Sequence, residues 1–166
     1  MLNLFELIIK EKEKYQSALV SALDLQIIDD PAYYDLKSQE GLLLLVKHDI
    51  KIDNGLMTAY FTALLSIVKT KSRHSVESVE NIETLINQKG MNFETLFNEY
   101  LQNESSLPRN TLLEFLINQT LNPVLEIYAG HLKHHIKPDK WENGYCPVCG
   151  DPPAMGAYRM IPEKEY

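Results

Sequence analysis

Two cysteines three residues apart, in Cys146-Pro147-Val148-Cys149-Gly150, are the side chains of this sequence best suited to chemistry. Two thiolates at that spacing can grip one metal ion if the intervening backbone turns tightly with its N–H groups toward the first sulfur. Pro147 fixes φ early in such a turn, where its missing N–H does least harm, and Gly150 permits φ > 0 where the turn exits. The same pair could instead cycle between dithiol and disulfide. A redox pair of that kind sits at a helix N-terminus inside an α/β fold, where the helix dipole lowers the first thiol's pKa. Asp151-Pro152-Pro153 opens no obvious helix and no βαβ pattern precedes it, so the context favours a metal knuckle.

A closed tetrahedral site needs four protein ligands, and this zinc-ribbon or rubredoxin-like knuckle supplies two. The missing pair has three possible sources. The chain could be part of a longer one in which a second CxxC follows Tyr166, with Ala154 to Ile161 as the first strand leading toward it. Two chains could each give one CxxC across a homodimer axis. His131, His134 and His135 of Gly-His-Leu-Lys-His-His could complete the shell, since His131 and His135 are spaced i,i+4 and share a helix face. The simpler account of those histidines is electrostatic. Three His and two Lys near Pro138 suit the negative end of a helix dipole.

The elements that must position these residues read mostly at helical period. Leu2, Phe5, Ile8, Ile9, Tyr15, Leu19, Ala22 and Leu23 form one face of a long first helix, which Asp29-Asp30-Pro31 punctuates. The stretch from Pro31 to Ile52, with Tyr33-Tyr34 and Leu42-Leu43-Leu44-Leu45-Val46, reads as mixed connection and short helix. Asp53 is suited to cap a central helix bearing Leu56, Met57, Tyr60, Phe61, Leu64, Leu65, Ile67 and Val68. A helix with Val76, Val79, Ile82, Leu85 and Ile86 follows and stops at Gly90; another, capped by Asn92, carries Phe93, Leu96, Phe97, Tyr100 and Leu101. Thr111 and Glu114 have capping-box spacing and open a run that keeps helical period to about Ile136, with Pro123 expected to kink or divide it.

Prolines and glycines concentrate after residue 137, together with the only tryptophan and both cysteines. The expected fold class is therefore all-α: a multi-helix bundle over residues 1–137, then an incomplete rubredoxin- or zinc-ribbon-like module over 138–166.

Composition limits the function classes. The chain has 166 residues, 45% hydrophobic and 23% charged, which is the profile of a globular protein with a real core. Its 16 basic against 23 acidic residues leave −7, which argues against nucleic acid or anionic membrane as partner. No run reaches the roughly 18 apolar residues of a membrane span and the N-terminus lacks the features of a secretion signal, so a cytoplasmic location and no membrane insertion are expected. There is no Gly-rich phosphate loop, nucleophile elbow or H-E-x-x-H motif, and no catalytic residue is assigned.

The stretch Trp141-Glu-Asn-Gly144-Tyr-Cys146-Pro147-Val-Cys149-Gly150-Asp-Pro-Pro153-Ala-Met-Gly156, preceded by an all-helical region, resembles the formate dehydrogenase accessory protein family, the E-type factor. The resemblance rests on Trp141, Pro147, Gly150 and Pro153 as well as the cysteines. It implies a helical N-terminal domain followed by paired rubredoxin-like modules whose CxxC motifs hold zinc or iron, with Cys146 and Cys149 as the first ligand pair. It also implies a non-enzymatic cytoplasmic maturation factor that binds the formate dehydrogenase catalytic subunit and assists its late assembly. The later CxxC motifs of that family are absent from these 166 residues, so the chain could hold no metal by itself. The competing class is a stand-alone metal-binding or dithiol-redox protein that uses the single CxxC; a plain helical interaction module is the third.

Overall fold

The computed structural model describes residues 2–23, 25, 27–28, 30–46, 50–71, 76–89, 93–101, 111–137 and 141–150. Six helices appear there: α1 (Leu2–Ala22), α2 (Pro31–Gln39), α3 (Asn54–Lys71), α4 (Val76–Lys89), α5 (Phe93–Leu101) and α6 (Thr111–Leu132), which a short 3₁₀ turn, Lys133–His135, extends. No strand occurs among the described residues, and none of their helices is long and apolar enough to cross a membrane.

Helix α3 is the centre of the bundle and packs against α1, α4, α5 and α6. Its start follows from Asp53, whose Oδ1 accepts the Leu56 N–H at 2.9 Å while its carbonyl accepts that of Met57. Met57, Tyr60, Phe61, Leu64, Leu65 and Val68 then recur at three and four, and all are buried. Phe61 meets Phe93 and Phe97 of α5 edge-on, at centroid distances of 5.2 and 6.4 Å. Tyr60 faces α1, its ring 4.8 Å from that of Tyr15. The Tyr60 hydroxyl is buried without a hydrogen-bond partner, and burial, with the carboxylates of Glu11 and Glu126 adding to it, pushes its pKa up to about 12.

Two sequence expectations change. Ile8 and Leu19 of α1 are buried, but Phe5 and Ile9 are half-exposed. At 3.6 residues per turn they lie about 60° and 100° round the helix from Ile8, on the flank of the stripe. The residues expected to end the first helix instead start the second: Asp30 caps α2 by accepting the Ala32 N–H at 2.9 Å, and Pro31 occupies the first helical position. Asp29 lies outside the described residues, as do Gly90 and Asn92.

Helix α2 closes on Gly41 at φ +68°, with Leu42 N–H donating to the Lys37 carbonyl and Gly41 N–H to that of Ser38. That is the Schellman arrangement, which only a residue tolerating left-handed backbone completes cheaply. Pro123 does not divide α6; the helix runs unbroken from Thr111 to Leu132 with the proline ring buried. The long-range ion pairs Lys12–Glu126 (α1 to α6) and Lys69–Glu83 (α3 to α4) lie at the surface, where such pairs are worth about 1 kcal/mol or less.

Candidate thiol site

The CxxC residues sit on a turn, 147–149, within the described segment 141–150. The Gly150 N–H donates to the Cys146 carbonyl at 2.9 Å and closes the turn. Gly150 itself is at φ +80°, the left-handed exit that its residue type predicts. Cys146 and Cys149 flank this turn as half-buried residues not joined in a disulfide. Upstream, the indole N–H of Trp141 donates to the Tyr145 carbonyl at 2.8 Å, and the two rings meet edge to face at 5.4 Å. Trp141 therefore folds back on the chain just before the cysteines.

What the sequence does not announce is how the turn is fastened. Leu44 N–H donates to the Pro147 carbonyl at 2.9 Å and Leu45 N–H to that of Val148 at 3.1 Å, so two consecutive amides of the 42–46 segment hold the back of the turn. Val148, between the two cysteines, is only 1% exposed and belongs to the same buried cluster as Leu44, Leu45, α3 and α6. Tyr145 reaches the Gly41 carbonyl at 3.4 Å, and the Asn143 amide lies against Gly41. Residues 138–140, where composition shifts, are outside the described residues; on either side of them the chain shares one core.

The glycine after the second cysteine is also a contact point. A Cβ built on Gly150 would lie 2.8 Å from Cδ1 of Leu43. The leucine tip can give way, but the left-handed backbone would remain strained for an L side chain. Gly150→Ala is expected to cost about 1 to 2 kcal/mol of stability, read as a lowered urea midpoint of the whole domain. A glycine-to-alanine change that raised the midpoint would show that the turn does not adopt this conformation.

The histidines are placed elsewhere. His131 is exposed near the end of α6, whereas His135 is half-buried in the 3₁₀ turn and stacks on Tyr34 with centroids 4.3 Å apart. The change from α to 3₁₀ after Leu132 takes His131 and His135 out of a common α-helical register. Burial raises the Tyr34 pKa, against a smaller opposing effect from its backbone hydrogen bond at Ile28. Among the described residues, no group of three or more His, Cys, Asp and Glu side chains is arranged to hold a metal ion. Pro153, and the expected strand from Ala154 to Ile161, lie outside the described residues.

The fold and the site together define an all-helical domain that carries a CxxC turn packed onto the loop after its second helix. Over 144 residues, 86% of this chain, the sequence is 26% identical to the Protein FdhE homolog of Aquifex aeolicus (strain VF5). The match covers 47% of that protein, so the chain spans about half the length of the curated relative it matches. The chain matches no family model. No solved structure matches it either.

Proposed function

We propose that this chain is an accessory factor of formate dehydrogenase, one that binds the catalytic subunit and assists its late assembly without turning over a metabolite. The observation that carries this reading is the similarity to the FdhE homolog, which extends across 86% of the chain and so takes in most of the helical region. The motif from Trp141 to Gly150, with its tryptophan folded over the approach and its glycine at the exit, supports it independently.

Cys146 and Cys149 suit one half of a tetrahedral zinc or iron site, since both thiols are half-exposed on a tight turn. Bound there, the metal would supply a cross-link between this turn and whatever segment gave the remaining ligands. That segment is either a second cysteine pair further along a longer chain or the same turn of a second copy in a homodimer. The chain's own residues provide the anchorage: Val148 and the Leu44 and Leu45 amides fix the backbone between the two sulfurs, so that neither thiol depends on the metal for its position. The described turn 147–149 is not itself helical and the sequence Asp151-Pro152-Pro153 opens no obvious helix, which favours the accessory reading over a dithiol catalyst that needs a helix dipole to activate its first thiol.

Client contact is assigned to the acidic surface of the bundle, which the −7 balance provides and which suits a basic patch on the client. Co-purification of the formate dehydrogenase catalytic subunit with the tagged chain tests this. The client should be retained at low salt and fall toward background near 1 M salt, where the screening length is about 3 Å. Retention undiminished by salt would remove the electrostatic contact, and no retention at low salt would remove the accessory reading.

A further inference from the structure

A cavity of about 70 Å³ lies between α2, α6 and residues 44–46, with Tyr33, Tyr34, Lys37, Leu45, Tyr128 and Leu132 among its lining side chains. At about 30 Å³ per water it has room for roughly two waters, or for one solute of comparable bulk. Among the described residues that line it, Lys37 alone carries charge. Lys37 is half-buried; its Nζ donates to the Leu44 carbonyl at 3.3 Å and lies 5.0 Å over the Tyr33 ring. One of the three ammonium N–H donors is thereby used, and among the described residues no carboxylate pairs with it, since Asp35 on the same helix pairs with Lys137. A cation drawn partly out of water, facing only a carbonyl and an aromatic ring, favours an anion at its remaining donors.

Tyr34 supplies the second polar group. It is spaced i,i+3 from Lys37 on α2 and so shares its face. Its buried ring is held on two sides, edge-on to Tyr33 at 5.2 Å and stacked on His135 at 4.3 Å. The Tyr34 hydroxyl hydrogen-bonds with the Ile28 backbone, and Ile28 also lines the cavity, which places the hydroxyl at the wall. That backbone hydrogen bond lowers the phenol pKa, as an N–H donating to the oxygen does, so the phenol keeps its own proton to give.

We infer that this cavity is a binding site for a one- or two-carbon carboxylate, such as formate or acetate. Lys37 balances the charge and donates to one carboxylate oxygen, Tyr34 Oη donates to the other, and Leu44, Leu45 and Leu132 enclose the C–H or methyl end. The small volume rejects larger carboxylates, and a single cation suits a monoanion better than a phosphate. Leu44 and Leu45 line the cavity and also hold the CxxC turn through their amides, so occupancy braces that turn. Size and charge select this ligand, and the site stands or falls separately from the accessory reading.

The experiment titrates the full ¹⁵N-labelled chain with sodium formate, and in parallel with sodium chloride at equal ionic strength, following the amide NMR shifts. Formate should give saturable shifts centred on Tyr34, Lys37, Leu44 and Leu45, with a millimolar Kd, since three non-hydrogen atoms at the ceiling of binding per atom reach roughly 1 mM. Lys37→Gln should raise that Kd about tenfold or more and Tyr34→Phe about fivefold. Equal shifts with chloride, meaning an adventitious ion only, or shifts still unsaturated at about 100 mM formate would overturn the inference. So would a Kd unmoved by Lys37→Gln or, where the glutamine variant does not fold, by Tyr34→Phe.

Discussion

Val148→Asp is expected to lower the stability of the helical domain by about 3 kcal/mol, although the residue lies outside every helix. The valine is 1% exposed and part of the core that α3 and α6 form, so the loss of its burial alone is worth about 1.5 to 3 kcal/mol. A carboxylate cannot stay there unpaired, and the turn must lift. When it lifts, the Leu44 and Leu45 amides lose the carbonyls of Pro147 and Val148, and the buried leucines of the 42–46 segment gain access to water. With an m-value near 2 kcal/mol/M, the urea midpoint followed by helical circular dichroism should fall by about 1.5 M. Glu142→Gln, at an exposed position four residues before Cys146, should leave it unchanged. An unmoved midpoint in Val148→Asp would mean that the cysteine segment folds apart from the helices, the organisation that composition alone suggests.

Tyr60 gives the second large effect, and its sign is fixed by linkage. The buried phenol ionises near pH 12 in the folded chain and near 10 when unfolded. Between those values the unfolded chain releases a proton that the folded chain retains, so stability is complete below pH 10 and is lost as pH rises toward 12. At 1.36 kcal/mol per pKa unit the loss from this residue is roughly 2 to 3 kcal/mol. Tyr34, also raised by burial, acts in the same direction, so the diagnostic quantity is the difference between the wild type and Tyr60→Phe. Thermal melts at a series of pH values should show the phenylalanine variant losing less stability across this window. Parallel curves would show that the Tyr60 hydroxyl reaches solvent.

The helices from α3 to α6 are legible in the sequence because local rules specify them. Asp53 caps at short range, and the apolar positions of α3 repeat at three and four with a buried partner on every side. Asp30-Pro31 misleads because the same residue types end one helix or begin the next, and only the cap hydrogen bond to Ala32 decides. Gly41 carries the missed signal: a glycine after Lys37-Ser38-Gln39-Glu40 is what a Schellman end requires, and it marks where α2 stops.

At the candidate site, the turn and its glycine exit follow from Cys146-Pro-Val-Cys-Gly150. The fastening does not. It depends on hydrogen bonds from Leu44 and Leu45 to carbonyls about a hundred residues away, and main-chain pairing over that separation leaves no trace in side-chain pattern. Nor does an i,i+4 spacing reveal that the helix tightens to 3₁₀ before His135, where stacking on Tyr34 takes the ring.

The most direct test of the accessory role is the formate dehydrogenase activity of cells from which the gene for this chain has been removed. The catalytic subunit should still be made, its activity should be lost, and re-expression of the intact protein should restore it, whereas the Val148→Asp variant should not. Full formate dehydrogenase activity in cells lacking the gene would contradict the account.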